Sequence, residues 1–233
     1  PKSAEILKPI LRGRDIKRYQ AEFADLWLID SHNGYVNSIG VRIPPVNITH
    51  FPAVKHWLDS HWDRISSRGD KGGTPYNLRD CAYQNEFNKE KIVYKDISQV
   101  LTFALSKPGE YSNNTVYFIA NNPYLRYFLA ILNSKAINWY YCQTSAQLGN
   151  QATRGFSIYM NKLPIPKIGE KEMMPYIEII NSILAQSAHP HVSSKESQSS
   201  SITSYEREID NLVYGSFGLS PEEINLIEDS NNH

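Results

Sequence analysis

The chain has 233 residues, 41% of them hydrophobic and 12% aromatic, enough for one substantial domain or a domain plus a smaller piece, and disorder is excluded as the default. Its two cysteines, Cys81 and Cys142, form neither a disulfide framework nor a ligand pair, and no apolar run reaches the ~18 residues of a membrane span. The zero net charge hides a division: residues 1–168 carry 21 Lys and Arg against 13 Asp and Glu, and residues 169–233 carry 3 against 11. The front segment is basic enough to face a polyanion; the back segment is not.

In chain order, ILKPILRGRDIKRY (6–19) predicts a strand, a tight basic turn at Gly13 and a second strand, and DLWLID (25–30) predicts a third. Residues 50–68 carry Pro52 in a first turn and Val54, Trp57, Leu58 and Ile65 on one face, so one amphipathic helix is expected. RGDKGGTPYN (68–77), with three glycines and a proline, is a loop. KIVYKDI (91–97), VLTFALS (100–106) and TVYFIAN (115–121) read as strands. From Tyr124 the period changes, and Leu125, Phe128, Leu129, Leu132, Ala136 and Trp139 mark a core-facing helix that Pro123 begins. QTSAQLGNQATRG (143–155) is a polar loop, and SIYMNKLPIPKI (157–168) is a closing strand ended by two prolines. Beyond Gly169 come a helix over 171–187, a low-complexity linker over 189–201, a helix over 203–214 and a last short helix capped at Ser220.

Asn121-Asn122-Pro123-Tyr124 ends an apolar strand and resembles the Asn-Pro-Pro-Tyr motif of DNA amino-methyltransferases, which holds a flipped base. That chemistry also needs a glycine-rich turn after a first strand to hold S-adenosylmethionine. Gly13 stands alone, and Gly69, Gly72 and Gly73 follow a helix, so the four residues read as a helix cap with proline in the first turn. His50, His56 and His61 lack the spacing of a zinc site, and Ser134 has no His or Asp partner at a motif spacing. Neither a metal site nor a catalytic residue is assigned.

Three segments have the composition of a DNA contact, with Arg, Asn and Gln able to read base edges and Lys or hydroxyls able to meet phosphate. The first is Arg12-Gly13-Arg14 with Lys17 and Arg18, which is equally a sheet turn with solvated charges; Asp15 is expected to tie down Arg14. The second is Arg68, Lys71, Thr74, Tyr76, Asn77 and Arg79, where the glycines either admit backbone amides to phosphate or simply make the turn. The third holds Gln143, Thr144, Ser145, Gln147, Asn150, Gln151, Thr153 and Arg154, a readout loop or an ordinary polar connection.

Several phrases in order carry a family resemblance: ILKPILRGRDIKRY, KGGTPYNLRDCAYQNEFNKEKIVYKDIS, NNTVYF, YFLAILNSKAINWYY, SIYMNKLPIPKI and IDNLVYGSFGLSPEEINLIED. Together they resemble the TaqI-like C-terminal specificity domain, the target recognition domain of type IIG restriction-modification enzymes and adenine-specific DNA methyltransferases. The resemblance implies an α+β (mixed α/β) fold: a curved, mostly antiparallel sheet with packed helices, similar to the recognition domains of type I specificity subunits. Residues 1–168 are expected to form that domain, and 169–233 an acidic helical extension with its Ser-rich linker. The implied partners are double-stranded DNA and a methyltransferase domain of the same chain, with no membrane, in a bacterial cytoplasm. The implied cofactors, S-adenosylmethionine and, where a nuclease is present, Mg2+, belong to the parent protein rather than to this piece. Two other readings stay open: a divergent S-adenosylmethionine-dependent methyltransferase using Asn121–Tyr124, and a protein-interaction domain whose basic face never meets DNA.

Overall fold

The computed structural model describes residues 2–98, 100–145, 147–148, 152–188 and 195–230. Strands β1 (Leu7–Leu11), β2 (Tyr19–Gln20), β3 (Trp27–Ile29), β4 (Tyr35–Val36) and β5 (Arg42–Ile43) precede helices α1 (Pro52–Asp59) and α2 (Trp62–Ser66). Strands β6 (Lys91–Lys95), β7 (Ile97–Ser98), β8 (Phe103–Ser106), β9 (Tyr111–Ser112) and β10 (Val116–Ile119) follow. Then come α3 (Leu125–Leu132), α4 (Lys135–Thr144), β11 (Gln147–Leu148), β12 (Ala152–Arg154) and α5 (Ser157–Met160). Helices α6 (Glu170–Ala188), α7 (Lys195–Phe217) and α8 (Pro221–Ser230) complete the chain. This is an α+β fold in which β1–β3, β4–β5, β6–β8, β6–β10, β7–β12 and β11–β12 pair antiparallel and β2–β8 pairs parallel. Among the described residues, no helix is long and apolar enough to cross a membrane.

The chain forms two compact units. The first comprises residues 1–11, 23–90 and 107–111. Its core gathers Ile6, Ile48, Phe51, Val54 and Leu58; of the face predicted for 50–68, Val54 and Leu58 are buried, Ile65 packs partly against them and Trp57 is exposed. That segment is nevertheless two helices. The Ser60 hydroxyl donates to the Trp57 carbonyl at 2.6 Å, competing with the backbone ladder where α1 ends. Asp30, Gln84 and Tyr111 make a buried polar cluster, with the Gln84 amide and the Tyr111 hydroxyl donating to the Asp30 carboxylate.

The second unit comprises residues 12–22, 91–106 and 112–233 and holds the sheet of order β10–β6–β8–β2. Helix α3 buries Leu125, Tyr127, Leu129, Ala130, Ile131 and Leu132. The predicted long helix breaks at Asn133-Ser134. There the Asn133 amide bonds both the N–H and the C=O of Phe103, and Ser134 caps α4 by accepting from Ile137 N. Residues 157–168 do not form the expected strand. The carbonyls of Phe156 and Ser157 accept from Met160 and Asn161 to make a helical turn, Pro164 and Pro166 lack the N–H groups a ladder needs, and the Pro166 carbonyl instead accepts from Tyr127 at 2.6 Å.

The charge boundary near residue 168 is not a packing boundary. Tyr176, Ile179, Ile180, Ile183, Ile209, Val213, Tyr214 and Ile227 from α6, α7 and α8 are buried in the same core as Ile92 and Phe103 of the sheet. Helix α7 starts at Lys195, so 195–201 is helical rather than linker, while 189–194 lie outside the described residues. The predicted cap of α8 is present: Ser220 N donates to the Glu223 carboxylate and Glu223 N to Ser220 Oγ.

Candidate nucleic-acid interface

In the second unit, the basic turn at 12–15 is a single 3-10 turn held by one ion pair. The Arg12 backbone N, Nε and Nη2 all donate to the Asp15 carboxylate at 2.8, 2.9 and 2.8 Å. Asp15 therefore ties down Arg12 rather than Arg14, as the shape of the guanidinium fork favours. These bonds hold the Asp15 carboxyl below its ordinary value against the opposing effect of burial. Arg14 is exposed, and Lys17 makes only a loose exposed pair with Glu22 at 3.9 Å. Gly13 is pressed against a neighbouring turn, donating to Thr115 Oγ1 at 2.9 Å; a Cβ would stand 3.2 Å from both the oxygen of Thr115 C=O and Oγ1. The Asn113 side chain fixes that turn by accepting from Thr115 N and Oγ1, and Asp96 N donates to Thr115 O.

These pieces enclose an open concavity of about 440 Å³, framed by Arg12, Arg14, Lys95, Asp96, Asn113 and Thr115. Ile97, also in its wall, belongs to β7 and pairs with Arg154 of β12. Segment 143–155, expected to be a loop, thus contains an antiparallel pair, Gln147 opposite Thr153 and Leu148 opposite Ala152, added to β7 as a small sheet. Gly155 makes the junction possible. Its N–H donates to Asp96 O at 2.6 Å, and a Cβ there would lie 2.5 Å from Lys95 O and 3.2 Å from the Tyr94 ring. The first and third predicted segments are therefore neighbours in one unit, with the strand carrying Thr153 and Arg154 beside the concavity. Asn150 and Gln151 lie outside the described residues.

The second predicted segment lies in the other unit and is mostly committed to its own fold. Arg68 Nη2 donates to the carbonyls of Pro75 and Asn77 at 3.0 and 3.1 Å. Asn77 is 3% exposed, and its amide donates to Val46 O at 3.0 Å and His32 O at 3.3 Å. Thr74 Oγ1 bonds the Asn77 side chain, the Tyr76 hydroxyl donates to Asp59 at 2.7 Å, and Lys71 Nζ donates to Ser66 O at 2.7 Å. Arg79 alone of the six is exposed with no hydrogen bond or ion pair among the described residues.

Asn121-Asn122-Pro123-Tyr124 is a helix-entry turn. Asn122 Oδ1 accepts from Tyr124 N at 2.7 Å, Asn121 has φ 59°, and the Tyr124 hydroxyl donates to Glu170 at 2.7 Å. The N-cap position falls on Tyr124, so Pro123 precedes the helix rather than filling its first turn. Burial pushes both thiols, Cys81 and Cys142, above their ordinary pKa, the reverse of a nucleophilic cysteine.

Sequence reasoning missed Lys95, Asn113 and Thr115. The signals were present: Lys95 is the polar end of an otherwise buried β6, and Asn-x-Thr is a spacing whose side chains close a turn on their own backbone.

This arrangement matches a known class. The model of the TaqI-like C-terminal specificity domain covers residues 8–165, and the chain belongs to that family. Among solved structures, it is similar in fold to the Type IIL restriction-modification enzyme MmeI, determined in complex with DNA. The TM-score is 0.63 with 14% sequence identity, over 94% of this chain and 29% of that chain. The chain thus spans under a third of that enzyme's length.

Proposed function

We propose that this chain is the DNA target recognition domain of a bacterial restriction-modification enzyme. It grips duplex DNA and reads its sequence while catalytic domains outside this sequence methylate adenine, and in some parents cleave. Those domains hold S-adenosylmethionine, and Mg2+ where a nuclease is present. The observation that carries the reading is the pairing, in one unit of a specificity-domain chain, of a concavity with uncompensated cations and a short polar sheet beside it. Arg14 and Lys95 supply charge for the backbone, and the β11–β12 segment supplies amide, hydroxyl and guanidinium residue types for base edges. DNA bound to the neighbour MmeI agrees in kind with this reading.

The test is selection of duplexes from a randomised library at two salt concentrations. Recovery of one short motif that survives the higher salt is the expected result. Salt-sensitive binding without any motif would reduce the domain to an electrostatic grip.

A further inference from the structure

The concavity is chemically lopsided in a way that identifies its ligand. Of the two guanidiniums in its wall, that of Arg12 is closed on Asp15. Asn113 Oδ1 and Thr115 Oγ1 are occupied by each other and by backbone N–H groups. Two cationic side chains of the wall remain to meet a ligand: Arg14 and Lys95, which make no hydrogen bond or ion pair among the described residues. With Arg12 and Asp15 cancelling, these two cations call for an anionic partner, and a phosphodiester carries a negative charge. A base edge, in contrast, demands a fixed pattern of donors and acceptors. The floor is preorganised, because Gly13 is bonded to Thr115 and a side chain there would crowd it at 3.2 Å.

We infer, building on the recognition reading above, that Arg14 and Lys95 seat one backbone phosphate of the duplex in this concavity, so that it supplies affinity and register but no sequence information. The Arg154 backbone, paired to Ile97 in the concavity wall, is then held at a set distance from a fixed phosphate. The seat acts as the datum from which the β11–β12 segment reaches the bases.

Arg14→Ala, Lys95→Ala and Arg14→Lys in the full-length protein test this, with affinity measured across a salt series for the selected duplex and for random duplex. Each alanine variant is expected to weaken both duplexes by factors agreeing within about twofold and to make the salt slope shallower by about 0.9. Arg14→Lys should keep most of the affinity, since a phosphate needs charge rather than a fork. Loss confined to the selected duplex, or failure of Arg14→Lys to rescue, would overturn the seat in favour of base reading. Unchanged affinity and slope in both alanine variants would overturn it outright. If the wild-type protein shows no sequence preference, the recognition reading fails, while equal losses on random duplex still establish the phosphate seat.

Discussion

Two basic, glycine-punctuated segments look alike in sequence and differ in what their side chains are free to do. In the loop 68–79, Arg68, Lys71 and Asn77 donate to carbonyls, and Asn77 is deeply buried. At the turn 12–15, one arginine is bound by one aspartate and the next is left facing an open concavity. A count of cations does not separate these cases; hydrogen-bond satisfaction does. A loop without regular secondary structure must still pair its backbone carbonyls, and long side chains are the donors nearest to hand. The difference teaches that, in this fold, glycine-rich basic loops are first candidates for internal closure and only second for DNA contact.

The contrast can be broken by mutation, beginning with the strongest effect. Asn77→Ala removes a buried amide from several carbonyls and should cost about 2–4 kcal/mol of stability in denaturant unfolding. A loss below half that would mean the loop closes without it. Next, Arg79→Ala and Arg154→Ala should each weaken binding to the selected duplex by about 1–3 kcal/mol if they read bases. Equal losses on random duplex would place them with phosphate contacts instead.

A third prediction concerns Asp210 in α7, which accepts from Lys135 N at 2.8 Å at the start of α4. Burial pushes its carboxyl up to about 6, with the Lys135 N–H and the nearby charges of Arg18 and Lys135 opposing and Glu228 reinforcing the shift. The folded state therefore binds a proton that the unfolded chain has already released between pH ~4 and ~6. The stabilising effect of that proton is complete below about 4 and lost as pH rises through about 6. Asp210→Asn, which keeps an acceptor without the charge, should gain about 1–2 kcal/mol at pH 7 and flatten the dependence across that window. An unchanged pH profile in a thermal melt would show that the carboxyl titrates normally. Smallest of all, Glu22→Ala breaks an exposed pair and should move stability by less than about 0.5 kcal/mol, while raising affinity for any duplex slightly by freeing Lys17.

Much of the fold was legible because its signals are local. Apolar, β-branched and aromatic runs located β6, β8 and β10, and the apolar stripe from Leu125 to Leu132 gave the helix that covers them. What escaped depends on partners distant in sequence. Asn133 breaks its helix because the Phe103 backbone is there to receive its amide, 30 residues away. The pairing of β12 with β7 depends on Gly155 lacking a side chain against Lys95 and Tyr94, a contact no spacing rule contains. The same holds for the candidate site. Residue types suggested Arg14 and Arg154 separately, but only the register of β7 shows that the Arg154 backbone pairs with Ile97, which shares a concavity wall with Arg14.

The acidic extension carries a practical corollary. The family match ends at residue 165, yet α6, α7 and α8 line the core beneath the sheet, and Glu206 and Asp210 serve Arg18 and the start of α4. Cutting at the family boundary would uncover a large apolar face and strand a cation. Any transplant of this recognition unit into another enzyme must therefore carry its acidic helices with it, and recombination between related genes should succeed only at crossovers that keep both together.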